Sequence, residues 1–68
     1  MKLSTRNQIK GKITEVVKGT VAAKVKIDIG NGNTITSTIT VEAVDDLNLK
    51  RGDDVVALIK ASSVMIGK

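Results

Sequence analysis

The stretch Val21-Ala22-Ala23-Lys24-Val25-Lys26-Ile27-Asp28-Ile29-Gly30-Asn31-Gly32-Asn33-Thr34-Ile35-Thr36-Ser37-Thr38-Ile39-Thr40-Val41 decides the fold class. As far as Ile29 its odd positions are Val21, Ala23, Val25, Ile27 and Ile29, and its even positions carry Ala22, Lys24, Lys26 and Asp28. A period of two over this length marks a strand with one face buried. Gly30-Asn31-Gly32-Asn33 then supplies residues that tolerate positive φ. Alternation resumes from Thr34 to Val41, with Ile35, Ile39 and Val41 on one face and four threonines on the other. The stretch predicts a β-hairpin.

Upstream, Ile9, Gly11, Ile13 and Val17 alternate with Lys10, Lys12, Thr14 and Val16, so Ile9 to Val17 reads as a strand. The turn Lys18-Gly19-Thr20 joins it to the hairpin as a meander. Downstream the period changes. In Glu42-Ala43-Val44-Asp45-Asp46-Leu47 the apolar residues are three apart, which predicts one or two helical turns with Thr40 as N-cap. Arg51-Gly52-Asp53-Asp54 ends that connection. Val55 to Lys60 reads as a fourth strand with Val55, Ala57 and Ile59 inward, and Val64 to Ile66 as a short fifth. The expected architecture is all-β: one domain over residues 1–68, a small five-stranded OB-like barrel with a short helical turn between strands 3 and 4, and Gly11 permitting a sharp bend in the first strand.

Composition narrows the chemistry. The chain has 68 residues and no His, Cys, Pro, Phe, Tyr or Trp, so nine Val and eight Ile must fill the core. It lacks the usual general base at neutral pH, the thiolate nucleophile and the soft metal ligands, which argues against an enzyme and against a catalytic cofactor. Its carboxylates do not form a spaced calcium loop. A chain this short buries only ~60% of its surface and has neither disulfide nor zinc to assist, so oligomerisation is the expected source of added stability. The first residues contain no apolar h-region and no run is long enough to span a membrane; with the missing cysteines, this points to the cytoplasm.

The net charge is +4, and residues 1–34 carry seven basic and two acidic groups against four and five in the remainder. Such a field suits nucleic acid, an acidic lipid surface or a small oxyanion. Single-stranded nucleic acid normally stacks on aromatic rings, and this chain has none, so phosphate contacts alone would remain. Lys10, Lys12, Lys24 and Lys26 alternate outward and read as a solvated face. Ser4-Thr5-Arg6-Asn7-Gln8 is dense in hydrogen-bond donors directly before a strand, and Thr40 and Lys60 at the ends of two further strands add a hydroxyl and a second cation. A tetrahedral dianion requires such an array of N–H and O–H donors with one or two fixed cations.

The opening Ser4-Thr5-Arg6-Asn7-Gln8-Ile9-Lys10-Gly11-Lys12-Ile13 resembles the S-A-R-N-Q-hydrophobic-x-G-x-hydrophobic start of the molybdate-binding Mop, or molbindin, family. The similarity continues through Ile35-Thr36-Ser37-Thr38-Ile39-Thr40, Leu47 to Val55 and Lys60-Ala61-Ser62-Ser63-Val64, covering nearly the whole chain. The resemblance implies a homo-oligomer, a hexamer built as a trimer of dimers, that holds molybdate or tungstate at subunit interfaces for storage or homeostasis. It implies oxyanion binding by Ser4, Arg6, Thr40 and Lys60, with neighbouring Thr5 and with backbone donors near Arg6, Asn7 and Ala61. Two departures stand out: Thr5 replaces an Ala, and Ala43 stands where the family's I-T-x-x-S pattern supplies a second hydroxyl. The alternatives are a nucleic-acid-binding OB module and an adaptor that delivers molybdate to a larger partner.

Overall fold

A computed structural model of the chain describes residues 6–68. It contains β1 (Asn7–Lys18), β2 (Ala22–Gly30), β3 (Asn33–Thr40), a short helix α1 (Val41–Asp46), β4 (Asp54–Ile59) and a 3₁₀ turn over Ala61–Ser63. The strands form one antiparallel sheet in the order β3-β2-β1-β4. The long first strand serves two partners in succession. Its first half, Asn7 to Lys12, pairs with β4, and Lys12 to Lys18 pairs with β2. Lys12 is the hinge between them, opposite both Asp54 and Asp28.

Two local features let β1 change partners. Gly11 faces inward so close to β2 that a Cβ there would sit 2.5 Å from Ile27 Cγ2 and 2.7 Å from the Asp28 carbonyl oxygen. A bulge then interrupts the β1–β2 register between Ile13 and Glu15, leaving Thr14 over and raising the local twist. The bulge also inverts the alternation: Val16 turns half-buried and Val17 becomes exposed, the reverse of the expected phase. Gly52 N donates to Ile13 O at 2.8 Å and Ile13 N to Asp53 O at 2.9 Å, fastening the loop before β4 to the same point.

The hairpin turn is as expected, with Asn31 and Gly32 both at positive φ in the manner of a tight two-residue connection. Val21 is not part of β2; it lies in the turn and is exposed. Val41 likewise leaves β3 and begins α1, because the Thr40 hydroxyl accepts from Ala43 N at 3.0 Å and caps the helix. The helix ends where Asn48 adopts φ 51, with Asn48 N donating to Asp45 O and Leu49 N to Val44 O. This is the two-bond C-terminal motif that a left-handed residue permits. It brings Val44 into the core beside Ile13, Ala23, Val25, Ile27 and Ala57.

The fifth strand and the closed barrel differ from expectation. Lys60 lies beyond β4, and Val64 to Ile66 have no strand pairing; Met65 is 92% and Ile66 90% exposed. The chain turns away after Ser63, so its last apolar residues do not reach their own sheet. The sheet of the described residues is thus open, with β3 and β4 as its edges. Between these edges runs an apolar groove of about 390 Å³, lined by Ile35, Ile39, Val55, Ala57 and Ile59 among others. Because the neighbours of Gly11 include backbone, Gly11→Ala is expected to destabilise the chain by ~1–3 kcal/mol in urea unfolding; unchanged stability would mean that β2 withdraws at no cost.

Candidate functional site

The β1–β4 ladder ends on the rung Asn7–Ile59. Arg6 and Lys60 are the residues immediately outside it, so residues 54 positions apart in the sequence flank one end of the sheet. The Asn7 amide fastens that end: its Nδ2 donates to Ile59 O at 3.1 Å in a partly buried position. Arg6 and Lys60 are both exposed. The ion pairs of the described residues join Lys12 to Asp54, Lys18 to Asp45, Lys26 to Glu15 and Lys50 to Asp53, and neither Arg6 nor Lys60 takes part. Two uncommitted cations at one sheet end attract anions.

Lys60 has extended φ and ψ and leads into the 3₁₀ turn that begins at Ala61. The first bond of that turn runs from Ser63 N to Lys60 O at 2.8 Å, so the N–H groups of Ala61 and Ser62 are not spent within the turn itself. A guanidinium, an ammonium and main-chain donors thus gather within a few residues of one rung. Ser4 and Thr5, the other expected members of this group, lie outside the described residues.

Thr40 is elsewhere. It ends β3 at the opposite edge of the sheet, paired with Ala22, while Ala23 next to it pairs with Lys18 at the far end of β1. Its hydroxyl uses a lone pair to accept from Ala43 N, which leaves its O–H free to donate outward. Ala43 lies in the same first helical turn, so the missing family hydroxyl would have stood beside Thr40. The structure therefore sorts the expected residues into two groups, one around Arg6, Asn7, Lys60 and Ala61 and one at Thr40. Neither group lines the apolar groove or the broader cleft of about 950 Å³ near Gly11 and Gly30.

The partner of the Asn7 side chain is not evident from the sequence, where its amide reads only as one donor of a polar cluster. Nothing local announces a partner 52 residues away. The one signal is that Asn7 occupies the inward phase shared by Ile9, Gly11 and Ile13, where an apolar residue is expected. Among the described residues there is no group of three or more acidic, His or Cys side chains suited to a metal ion, and no helix is long and apolar enough to cross a membrane.

Comparison with known proteins gives one consistent answer. Residues 3–66 match the TOBE domain family. The chain is 52% identical over 67 residues to a probable molybdenum-pterin-binding protein of Haemophilus influenzae, covering 98% of this chain and 97% of that one. It superposes on a molybdate-binding protein from Sporomusa ovata with a TM-score of 0.94 at 43% identity over the full length of both. It also matches the cytoplasmic molybdate-binding protein ModG in a molybdate-bound form, with a TM-score of 0.90 and 42% identity, covering 96% of this chain and 46% of that one.

The capping bond yields a stability test that does not depend on any ligand. Thr40→Ala is expected to lose about 1 kcal/mol in urea unfolding, whereas Thr40→Asp, whose carboxylate also caps a helix, stays near the parent value. Equal loss in both variants would mean that the cap contributes nothing.

Proposed function

Because the chain belongs to the TOBE domain family, and within it to the small molybdenum-pterin-binding proteins of Mop type, we propose that it binds the molybdate oxyanion between copies of itself and stores or buffers it in the cytoplasm. The observation that carries this reading is the placement of Arg6 just before, and Lys60 and Ala61 just after, the last β1–β4 rung, which the Asn7 amide fastens to Ile59 O. A dianion there receives two charge-assisted contacts and main-chain donors, the pattern that strong oxyanion binding requires. The relatives from Haemophilus influenzae and Sporomusa ovata support molybdate as that anion, and cytoplasmic ModG supports the compartment. Tungstate, of the same shape and charge, fits the same donors. The chain acts as a binding protein, not as an enzyme.

The division of the donors supports a site shared between copies. Thr40 sits at the opposite sheet edge from Arg6 and Lys60, so a second copy brings a Thr40 hydroxyl to the first copy's cations. A hexamer arranged as a trimer of dimers provides such contacts by symmetry. The open groove and the exposed tail supply the association energy. Val64, Met65 and Ile66 of one copy enter the seam between β3 and β4 of another, completing a five-stranded barrel and covering both edges. Each such side chain, once fully buried, contributes about 1.5–3 kcal/mol, and the covered edges no longer invite aggregation.

Anion binding then stabilises the assembly, since only the associated state holds a complete site. Discrimination against sulfate comes from size, because donors set for the larger tetrahedron leave some sulfate oxygens beyond hydrogen-bond reach.

Arg6→Ala is expected to weaken molybdate binding at least about tenfold in isothermal titration, the loss of one charge-assisted hydrogen bond, with folding retained; an unchanged affinity would remove Arg6 from the site. Ile66→Asp places a charge on the exchanging strand and should lower the assembly size in sedimentation at micromolar protein. An assembly of parental size would rule out strand exchange through the tail.

A further inference from the structure

We infer that Asn7 is a positioning residue for the anion site: its side-chain amide is not a ligand but a clamp that holds Lys60 and Ala61 against the start of β1. This rests on the binding reading above and assigns to Asn7 a role different from the backbone contact that the family resemblance suggests.

Three observations carry it. First, Asn7 breaks the pattern of its own strand. Residues 7, 9, 11 and 13 of β1 point inward, and the other three are Ile9, Gly11 and Ile13. A polar side chain in that phase is costly unless its hydrogen bonds are satisfied. Second, the bond is long-range and sits at the ladder's end, with Nδ2 donating to Ile59 O at 3.1 Å. Terminal rungs fray most readily because no further rung holds them. Third, the residues just past the clamped carbonyl are Lys60 and Ala61, where the chain leaves the sheet and enters the 3₁₀ turn. With the donor in place, the peptide leading into Lys60 has its carbonyl fixed, and the direction of the lysine and of the Ala61 N–H follows. Without it, the strand end that carries Lys60 is held to β1 by the terminal backbone rung alone.

The test compares Asn7→Ala and Asn7→Leu, the second keeping the side-chain volume without the donor, in the full chain and with thermal unfolding as a control on folding. In anion-free protein, backbone amide hydrogen exchange at Ser63, whose N–H is held by Lys60 O, is expected to accelerate in both variants while that of Ile13 and Val25 in the core does not. Unchanged exchange at Ser63 would overturn the clamp whether or not the chain binds molybdate. Should a variant unfold, solvent exchange of the Asn7 side-chain protons in the parent protein decides the same point: one slowed proton supports the clamp, and two fast ones contradict it.

The second readout is a double-mutant cycle in sodium molybdate titrations. Asn7→Ala alone should weaken binding about tenfold, and in a Lys60→Ala background the further loss should fall below about twofold, because the lysine it positions is gone. Full additivity would mean that Asn7 acts without Lys60 and would overturn the proposal. If the parent protein fails to bind molybdate, the binding reading fails while the exchange experiment still decides the clamp.

Discussion

Everything in this small fold depends on one strand having two partners. The first half of β1 is paired with β4 and the second with β2, and the change occurs at Lys12. The inward Gly11 lets β2 approach, and the bulge after Ile13 adds the twist that turns one strand into the shared wall of two sheet arms. A core made only of aliphatic side chains fits between those arms, with Val44 of the helix against one side. The same arrangement ends β4 beside the start of β1, which sets Arg6 and Lys60, from opposite ends of the chain, at one end of the sheet.

The strands and the helical turn are legible in the sequence because alternation is a local property. Val21 to Ile29, the Gly30–Asn33 turn and the threonine-rich arm after it announce a hairpin in consecutive residues, and the Thr40 cap is visible three residues before its bond to Ala43. What escapes the sequence is anything set by register or by a partner. The bulge at Thr14 moves Val16 inward and Val17 outward, and no residue type there signals it. Val21 and Val41 have strand character but are taken by a turn and a helix. Val64 to Ile66 has the composition of a strand, yet a strand also needs a neighbour, and the single chain does not provide one. Of the site, Arg6, Thr40 and Lys60 emerge through a resemblance and not through spacing, since only the β1–β4 ladder brings residues 6 and 60 side by side. The Asn7 clamp depends on the same ladder and is hidden from the sequence for that reason.

Chemistry and stability are joined in this molecule. The basic excess of the N-terminal half, including Arg6, is a self-repulsive feature for a small marginal domain, and under the proposed reading a dianion held between copies would relieve it. The ion pairs elsewhere are exposed, with side chains such as Lys12 and Asp54 more than half accessible, so they contribute little to stability. Under the proposed binding between copies, association through the apolar seam and neutralisation at the site are two parts of one equilibrium, and molybdate concentration would control assembly. A chain without rings, thiols or imidazoles is well suited to holding an oxyanion unchanged. It offers fixed N–H, O–H and cationic donors and little else that could exchange electrons with the bound ion.

If the donors are shared between copies, one site draws Arg6 and Lys60 from one chain and Thr40 from another. The direct measurement is molybdate binding by mixed assemblies of Arg6→Ala and Thr40→Asp chains, unfolded together and refolded, beside each variant alone. Each homogeneous assembly carries a defect in every site and should bind weakly. In an equal mixture, about a quarter of the sites pair an intact Arg6 with an intact Thr40, so a fraction of parental-affinity binding should return. Mixtures that bind no better than the two variants measured separately would place all the donors within one chain and contradict the shared site.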